Sequence, residues 1–211
     1  MCGLYSFRKS AEETRSLFDY LDAPDFPPRT YVAPGGPIAI VRIEQGQRRF
    51  ALVRWGFIPS WVKELKPGKP LINARGETVA EKPSFRHAFR RRRCLIPVSA
   101  WAEAEGAKGR MTRTWYALPG VDPFAVAGLW RSTAEWGDSY TMVMTDSSAQ
   151  MVDVHDRMPV ILRTDDWAKW TSGSADDALT LCRTWGETLM VEQTSERWAG
   201  SDSAPAQDTL F

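Results

Sequence analysis

The sequence predicts an α+β fold with a mostly antiparallel sheet. Segments with strand character outnumber helical ones, and the two kinds do not alternate along the chain as they would in a parallel α/β fold. Residues 37–44 and 48–55 are β-branched or alternating runs on either side of Gln45-Gly46-Gln47, which indicates a β-hairpin. Hydrophobic residues make up 43% of the 211 positions, enough to build the core of one ordinary domain.

Before the hairpin, the sequence predicts one short strand and one helix. The strand covers residues 4–8. Ser10 and Glu13 have the spacing of a capping box, which marks the beginning of the helix, and the proline-rich stretch 23–28 marks its end. The apolar face of this helix would consist of Leu17, Phe18 and Leu21.

After the hairpin, an aromatic loop and a basic helix are expected. The loop covers residues 55–61, and the polar sequence 73–78 then follows a short apolar pair, as at the end of a strand. Residues 82–93 are predicted to form a helix, since Pro83 is tolerated in a first turn. This helix ends in four consecutive arginines, Arg90 to Arg93.

The second half of the chain is predicted to consist mostly of strands. We expect strands at residues 94–98, 101–105, 114–118, 124–130, 140–145, 160–162 and 188–193. Helices are expected at residues 147–154, 165–170 and 176–185. From Ser195 onward Ser, Ala, Gly, Asp and Pro predominate, so we divide the chain into a domain at 1–194 and a flexible tail at 195–211.

The composition argues against several classes of protein. The net charge is +1, so any nucleic-acid site must be a local patch. Three widely spaced cysteines, Cys2, Cys94 and Cys182, favour neither a disulfide framework nor a zinc site. The sequence lacks a secretory h-region and an apolar run of membrane-spanning length. We therefore expect a cytoplasmic protein with no metal, no other cofactor and no membrane partner.

The N-terminal sequence Met1-Cys2-Gly3 carries a candidate nucleophile. If Met1 is removed, Cys2 presents an α-amine and a thiol, both of which titrate close enough to neutral pH to be partly nucleophilic. An aldehyde can form an imine with the amine, and the thiol can then close a five-membered thiazolidine. By itself, Met-Cys-Gly is better explained as a start methionine followed by a small buried cysteine. The interpretation of Cys2 as a nucleophile therefore depends on the rest of the chain.

Three further polar residues occur in sequences that suit such chemistry. Asn73 lies in Asn-Ala-Arg-Gly-Glu-Thr, Glu103 lies in a mostly apolar strand, and His155 begins His-Asp-Arg-Met-Pro. Burial would raise the pKa of Glu103 and make it an acid–base group near neutrality, and histidine titrates in the same range. Each also has a structural interpretation: a turn-stabilising asparagine, a solvated edge-strand glutamate, and a histidine paired with Asp156.

In this order, these segments resemble the SRAP family, the SOS-response-associated peptidases. The resemblance runs from Met1 to about Gln193. It also includes Val32-Ala33-Pro34, Trp55-Gly56, Pro59-Ser60-Trp61 and Ala127-Gly128-Leu129-Trp130. It implies a barrel-like sheet core with flanking helices, and a monomer that shields abasic sites in single-stranded DNA at the nucleoid.

The resemblance also implies a role for each residue. Cys2 would capture the ring-opened sugar aldehyde after autoproteolytic removal of Met1, giving a thiazolidine crosslink, with lyase or crosslink-release activity as a further step. Asn73 would orient the Cys2 amine or the sugar hydroxyls. Glu103 would act as an acid–base, and His155 would protonate the ring oxygen or assist loss of the 3′ phosphate.

Four residues are candidate DNA contacts. Arg75 could hold a phosphate through its planar guanidinium. Arg90 and Arg93, in the arginine run, could follow the backbone, although a solvated helix face explains the run equally well. Trp61 could stack on a base, whereas Phe57 is better explained as core.

The sequence departs from the family pattern beside these residues. Leu4 and Tyr31 replace the usual arginine and asparagine, and Ser99-Ala100 and Ala104 replace residues that usually surround the catalytic glutamate. These departures affect DNA-contacting positions rather than the four chemical residues. They are compatible with weaker DNA binding or with a different aldehyde substrate.

The sequence Gln207-Asp208-Thr209-Leu210-Phe211 resembles the Gln-x-x-Leu-Phe peptide by which repair proteins bind the replicative sliding clamp. Leu210 and Phe211 would fill an apolar pocket, and Gln207 would form hydrogen bonds at its rim. A frayed tail with two stray apolar residues is the structural alternative.

Two other functions remain as alternatives to an abasic-site sensor. A cysteine peptidase acting on itself or on other proteins could use the same cysteine, histidine and glutamate. A non-catalytic clamp-associated paralogue would keep the fold without DNA capture, and Leu4 and Tyr31 are the residues that favour it.

Overall fold

The computed structural model describes residues 2–22, 24–64 and 70–198. Met1 and the tail residues Gln207, Leu210 and Phe211 lie outside these ranges. The described residues form an α+β fold with two antiparallel-rich sheets, as predicted.

Thirteen strands, four α-helices and two 3₁₀ turns are present in the part of the chain that the structure describes. The strands are β1 (Leu4–Phe7), β2 (Arg29–Val32), β3 (Pro37–Glu44), β4 (Gln47–Trp55), β5 (Asn73–Arg75), β6 (Arg93–Val98), β7 (Ala100–Glu105), β8 (Thr112–Ala117), β9 (Phe124–Thr133), β10 (Gly137–Asp146), β11 (Arg157–Pro159), β12 (Ile161–Leu162) and β13 (Met190–Arg197). The α-helices are α1 (Ala11–Phe18), α2 (Arg86–Arg91), α3 (Trp167–Ser172) and α4 (Ala175–Leu179), and the 3₁₀ turns are Gly76–Thr78 and Thr164–Asp166.

One sheet closes into a barrel-like ring. Its strands follow the order β11-β10-β4-β3-β6-β9-β12, and an additional pairing between β10 and β9 closes the ring. The short strand β5 pairs in parallel with β10, next to the place where β4 ends. Gly128 of β9 allows tight packing inside, because a Cβ there would lie 2.8 Å from Sγ of Cys94.

The second sheet has five strands in the order β13-β8-β7-β1-β2 and places the N-terminus of the chain in the core. All four residues of β1 are buried. Tyr5 of β1 joins the two sheets, since its hydroxyl lies 2.9 Å from that of Tyr140 in β10, and its ring contacts Trp55.

Several predicted elements are confirmed. The hairpin of β3 and β4 pairs in register from Pro37↔Arg54 to Glu44↔Gln47. Ser10 and Glu13 form the predicted capping box. Helix α1 nevertheless ends at Phe18, so only Phe18 of its three predicted apolar residues is buried, and Leu17 and Leu21 are exposed.

Other boundaries were wrong for physical reasons. The basic helix covers only Arg86–Arg91, because the carbonyl of Arg92 accepts a hydrogen bond from Trp130 and the chain then enters β6. Residues 147–154 form turns rather than a helix, and α4 ends at Leu179. Strand β2 was not predicted.

Strand β13 continues to Arg197, four residues beyond the strand predicted at residues 188–193. The polar residues at the end of β13 carry little strand signal of their own. They pair with β8 as far as Arg197↔Thr112, and this long-range pairing rather than local propensity makes the strand.

Candidate active site

Cys2 lies at the buried end of β1, between the two sheets. Its side chain has no exposed surface, and its Sγ donates a hydrogen bond to the carbonyl of Leu4 at 3.6 Å. Since Leu4 pairs with Ala102 in antiparallel β7, the residues before Leu4 lie beside those after Ala102. This register brings Cys2 close to Glu103.

Asn73 contacts the cysteine from the other sheet. Its Nδ2 donates a hydrogen bond to the carbonyl oxygen of Cys2 at 2.8 Å. Its Oδ1 is buried and has no hydrogen-bond partner among the described residues, so it remains an acceptor inside the site. Pairing with Met142 of β10 fixes the position of Asn73 at the start of β5.

Glu103 is buried, with 1% of its surface exposed, which excludes the alternative of a solvated glutamate on an edge strand. Burial raises its pKa from 4.5 to about 7, and the positive charge of the chain's amino terminus partly offsets this effect. Its carboxyl group therefore changes protonation state near neutral pH, as a general acid or base must.

Burial also determines the pKa of the Cys2 thiol. It raises the pKa of Cys2 well above its usual value, and the negative charge of Glu103 raises it further. The thiol is therefore protonated at neutral pH, and it becomes a nucleophile only if a neighbouring base takes its proton. Glu103 is a suitable base because its own pKa lies near 7.

His155 lies just before β11, on the opposite side of β10 from β5. Its Nδ1 accepts a hydrogen bond from the backbone N–H of Arg157 at 2.9 Å, which leaves the proton of the neutral ring on Nε2. Partial burial lowers its pKa. Nδ1 also lies 3.3 Å from the exposed carboxylate of Asp156, but an unprotonated Nδ1 makes no ion pair with it.

Arg157 is a site residue that the sequence interpretation missed. Its guanidinium donates to Asp146, Glu77 and the carbonyl of Met144, at 2.5, 2.7 and 3.1 Å. It thereby links β11 to the turn after β5 and supports His155 through its backbone N–H. The sequence signal that could have identified Arg157 is its place in the His-Asp-Arg-Met-Pro motif.

The predicted DNA contacts fall into two groups. Arg75 and Arg90 are exposed, and 55% of the surface of Trp61 is accessible, so these three side chains are available to a ligand. Phe57 is buried, as expected, and packs against Phe85.

The interpretation of Arg93 as a DNA contact is corrected by the structure. Only 5% of its surface is exposed, and its guanidinium donates to the backbone carbonyls of Phe89, Trp170 and Gly173. Because Arg93 is the first residue of buried β6, it points into the packing of α2 against α3 rather than towards solvent.

The two unusual residues of the sequence have structural roles. Leu4 packs in the core with 9% of its surface exposed. The hydroxyl of Tyr31 donates to Glu196 in β13 at 3.0 Å, and Arg113 lies over its ring. Tyr31 therefore ties β2 to the other edge of the five-stranded sheet.

No cluster of three potential metal ligands occurs in the described part of the chain. Within the same ranges, no helix is long and apolar enough to cross a membrane.

Fold and site together define an α+β protein with a buried cysteine near its N-terminus, between two sheets, which contacts an amide and lies near a titratable carboxyl. The family model of SOS response associated peptidases (SRAP) matches residues 1–197, and the chain belongs to this family.

Individual relatives agree with this assignment. The chain is 32% identical over 185 residues to abasic site processing protein YoqW of Bacillus subtilis, a match that covers 84% of this chain and 83% of the relative. It is 33% identical to YoaM of the same organism, over 81% of this chain and 78% of the relative. A crystal structure of a protein from Bordetella bronchiseptica superposes with a TM-score of 0.78 at 27% identity, covering 92% of this chain and 99% of that one.

Proposed function

We propose that this protein processes abasic sites in single-stranded DNA. After removal of Met1, Cys2 would capture the open-chain sugar aldehyde of the abasic site. The contact of Asn73 with the Cys2 carbonyl, beside a carboxyl that titrates near pH 7, is the observation that carries the proposal. The names of the curated relatives, abasic site processing proteins, support the same substrate.

The capture reaction requires two proton transfers that the site residues can perform. The Cys2 amine attacks the aldehyde carbon, and loss of water gives an imine. The thiol sulfur then adds to the imine carbon, its proton passes to the nitrogen, and a thiazolidine ring closes with water as the only by-product. Glu103 accepts the thiol proton and donates protons to the leaving oxygen, since both of its forms are populated near neutrality.

Asn73 and His155 act on the substrate and the nucleophile in different ways. The Asn73 amide fixes the Cys2 backbone, and its second polar atom, Oδ1, is placed to orient the amine or a sugar hydroxyl. His155, with its proton on Nε2, donates to the ring oxygen as the sugar opens or assists loss of the 3′ phosphate in a lyase step. Arg75 and Trp61 hold the flanking strand by phosphate contact and base stacking.

A general cysteine peptidase is less well supported. Cys2 has no exposed surface and its pKa is raised by burial, so its thiol must become accessible in either reaction, but an open-chain sugar aldehyde needs less room there than a peptide chain. A peptidase step confined to the chain's own Met1 remains part of the proposal, because it requires no access for another protein.

The direct test compares wild type with Cys2→Ala and Asn73→Ala. Each protein is mixed with a single-stranded oligonucleotide that carries one abasic site, and products are followed by denaturing gel and intact mass. We expect a denaturation-resistant adduct only on Cys2-containing protein that lacks Met1, and slower adduct formation with Asn73→Ala. Wild-type protein that lacks Met1, is folded and forms no adduct would overturn the proposal.

We also propose that the segment 207–211 binds the replicative sliding clamp. Gln207, Leu210 and Phe211 supply the hydrogen-bonding and apolar groups of a short peptide ligand. This binding would bring the protein to stalled replication forks, where single-stranded abasic sites arise.

A further inference from the structure

Two arginines occupy one row on a single face of the ring-shaped sheet. Ser139 of β10 pairs directly with Arg54 of β4 on one side and with Arg131 of β9 on the other. Directly paired residues place their side chains on the same face. Arg54 and Arg131 therefore flank Ser139, and their Cα atoms lie two strand spacings apart, about 10 Å.

A third arginine lies near the end of this row. Arg92 follows α2, and its guanidinium carbon lies 4.8 Å from the ring centroid of Trp130, which precedes Arg131 in β9 and faces the other side of the strand. Partial burial and the positive charge of Arg92 together lower the pKa of Arg131. The two guanidinium groups thus lie close enough to repel each other, an arrangement that an anion would relieve.

Some arginines of the described chain form ion pairs with carboxylates, whereas these three do not. Within the described ranges, no carboxylate lies within 4.0 Å of Arg54, Arg92 or Arg131. The Nε of Arg131 is also buried without a described hydrogen-bond partner. By contrast Arg42, whose guanidinium carbon lies 4.1 Å from the same Trp130 ring, is neutralised by both Glu44 and Asp138.

An exposed aromatic loop is anchored between the arginines. The backbone N–H of Ile58 donates to Oγ of the buried Ser139 at 3.0 Å, which attaches the loop to the middle of the row. Trp61, three residues further on, is largely exposed. Unpaired arginines beside an exposed aromatic ring are the combination that binds single-stranded nucleic acid.

We propose that Arg54, Arg92 and Arg131 form a second phosphate-binding subsite, which holds the backbone of the DNA strand outside the abasic site. This inference rests on the proposed function for the identity of the strand. Ser139 lies three residues along β10 from Met142, the partner of Asn73, and on the opposite face. Because the row lies on that opposite face, we expect a short oligonucleotide to occupy the Cys2 site alone and only a strand several nucleotides longer to reach both.

The double variant Arg92→Gln and Arg131→Gln tests the subsite. Binding of an undamaged single-stranded 20-mer is measured by fluorescence anisotropy over a series of salt concentrations. Each lost phosphate contact lowers the slope of log K against log salt by about 0.7, so the slope should fall by about 1.4 and the affinity at low salt by about tenfold. Arg92→Lys with Arg131→Lys keeps both charges and should keep most of the slope.

The matched control removes two exposed arginines that already have carboxylate partners. Arg15 and Arg163 are exposed and pair with Glu12 and Glu187, so Arg15→Gln with Arg163→Gln gives the same change of charge. Its salt slope should equal that of wild type. An unchanged slope in the Arg92 and Arg131 double variant, or an equal drop in the control, would overturn the subsite.

Covalent capture of a short abasic oligonucleotide separates this subsite from the proposed function. The Arg92 and Arg131 variant should capture a pentamer at the wild-type rate, because the pentamer occupies only the Cys2 site. If wild type forms no adduct while the slope still falls in the variant, the subsite stands and the proposed capture fails. If adducts form and the slope does not change, the subsite fails and capture stands.

Discussion

At the scale of single residues, the site depends on what burial does to two neighbouring groups. Burial between the sheets raises the pKa of both groups, so the thiol of Cys2 is neutral at pH 7, whereas the carboxyl of Glu103 populates both its protonated and its charged form there. A neutral thiol is unreactive but also protected from oxidation. The nearby carboxyl of Glu103, which titrates near neutral pH, can act as the base that removes the proton from the thiol.

The raised pKa of Glu103 predicts a specific dependence of stability on pH. Between 4.5 and about 7 the folded state binds more protons at this group than the unfolded state does. The stabilising contribution of protonated Glu103 is therefore fully present below pH 4.5 and is lost as pH rises through about 7. Glu103→Gln removes this effect.

Urea unfolding of wild type and Glu103→Gln at pH 5 and pH 8 measures that contribution. The variant should gain about 2 kcal/mol in unfolding free energy relative to wild type on going from pH 5 to pH 8. Comparing the two proteins cancels other titrating groups, including His155, whose lowered pKa acts in the opposite direction. A constant difference across this range would show that Glu103 titrates normally.

At the scale of elements, Arg93 holds two helices against the ring-shaped sheet. Its guanidinium joins the last turn of α2, through the carbonyl of Phe89, to the end of α3, through those of Trp170 and Gly173. Trp170 also donates from Nε1 to the carbonyl of Cys94 at 2.9 Å. The arginine run therefore contains one structural member among exposed ones.

Arg93→Met should destabilise the protein by about 2–3 kcal/mol, because it leaves buried carbonyls without a donor. Arg90→Met is the control on the same helix and should change the unfolding free energy by less than about 0.5 kcal/mol, since Arg90 is exposed. Urea unfolding gives both values. If the two variants were equally stable and only Arg93→Met bound DNA more weakly, Arg93 would be a phosphate contact, as predicted from the sequence.

Elements with a strong local signal could be predicted, and those made by distant partners could not. The hairpin of β3 and β4 and the capping box of α1 follow from short-range patterns. Strand β13 depends on pairing with β8, and the end of α2 depends on Trp130 taking the carbonyl of Arg92. Neither partner can be identified from the local sequence.

The same distinction applies to the candidate site. The sequence motifs identified Asn73, Glu103 and His155 as polar residues in suitable contexts, and the apolar neighbours of Glu103 made burial one of its two interpretations. The supporting role of Arg157 and the burial of Arg93 depend on packing between elements that are far apart in the sequence. The sequence predicted Arg93 as a candidate DNA contact and indicated no role for Arg157.

At the scale of the whole molecule, the site exists because two sheets meet at the end of β1. Cys2 and Glu103 belong to the five-stranded sheet, whereas Asn73 belongs to β5 beside the ring. The paired hydroxyls of Tyr5 and Tyr140 fix how the sheets face each other. We therefore expect the proposed capture chemistry to depend on residues 2–198 and not on the segment that follows them.

Removing residues 207–211 tests that independence together with clamp binding. The truncated protein should lose binding to the sliding clamp, because Gln207, Leu210 and Phe211 supply the peptide's hydrogen-bonding and apolar groups. It should still capture a free abasic oligonucleotide at the wild-type rate. Surface plasmon resonance on immobilised clamp and the denaturing gel assay measure the two properties, with Leu210→Ala and Phe211→Ala in the full-length chain as the matched control. Clamp binding that survives both changes would show that the contact lies elsewhere on the molecule, whereas slower capture by the truncated protein would show that the segment reaches the active site.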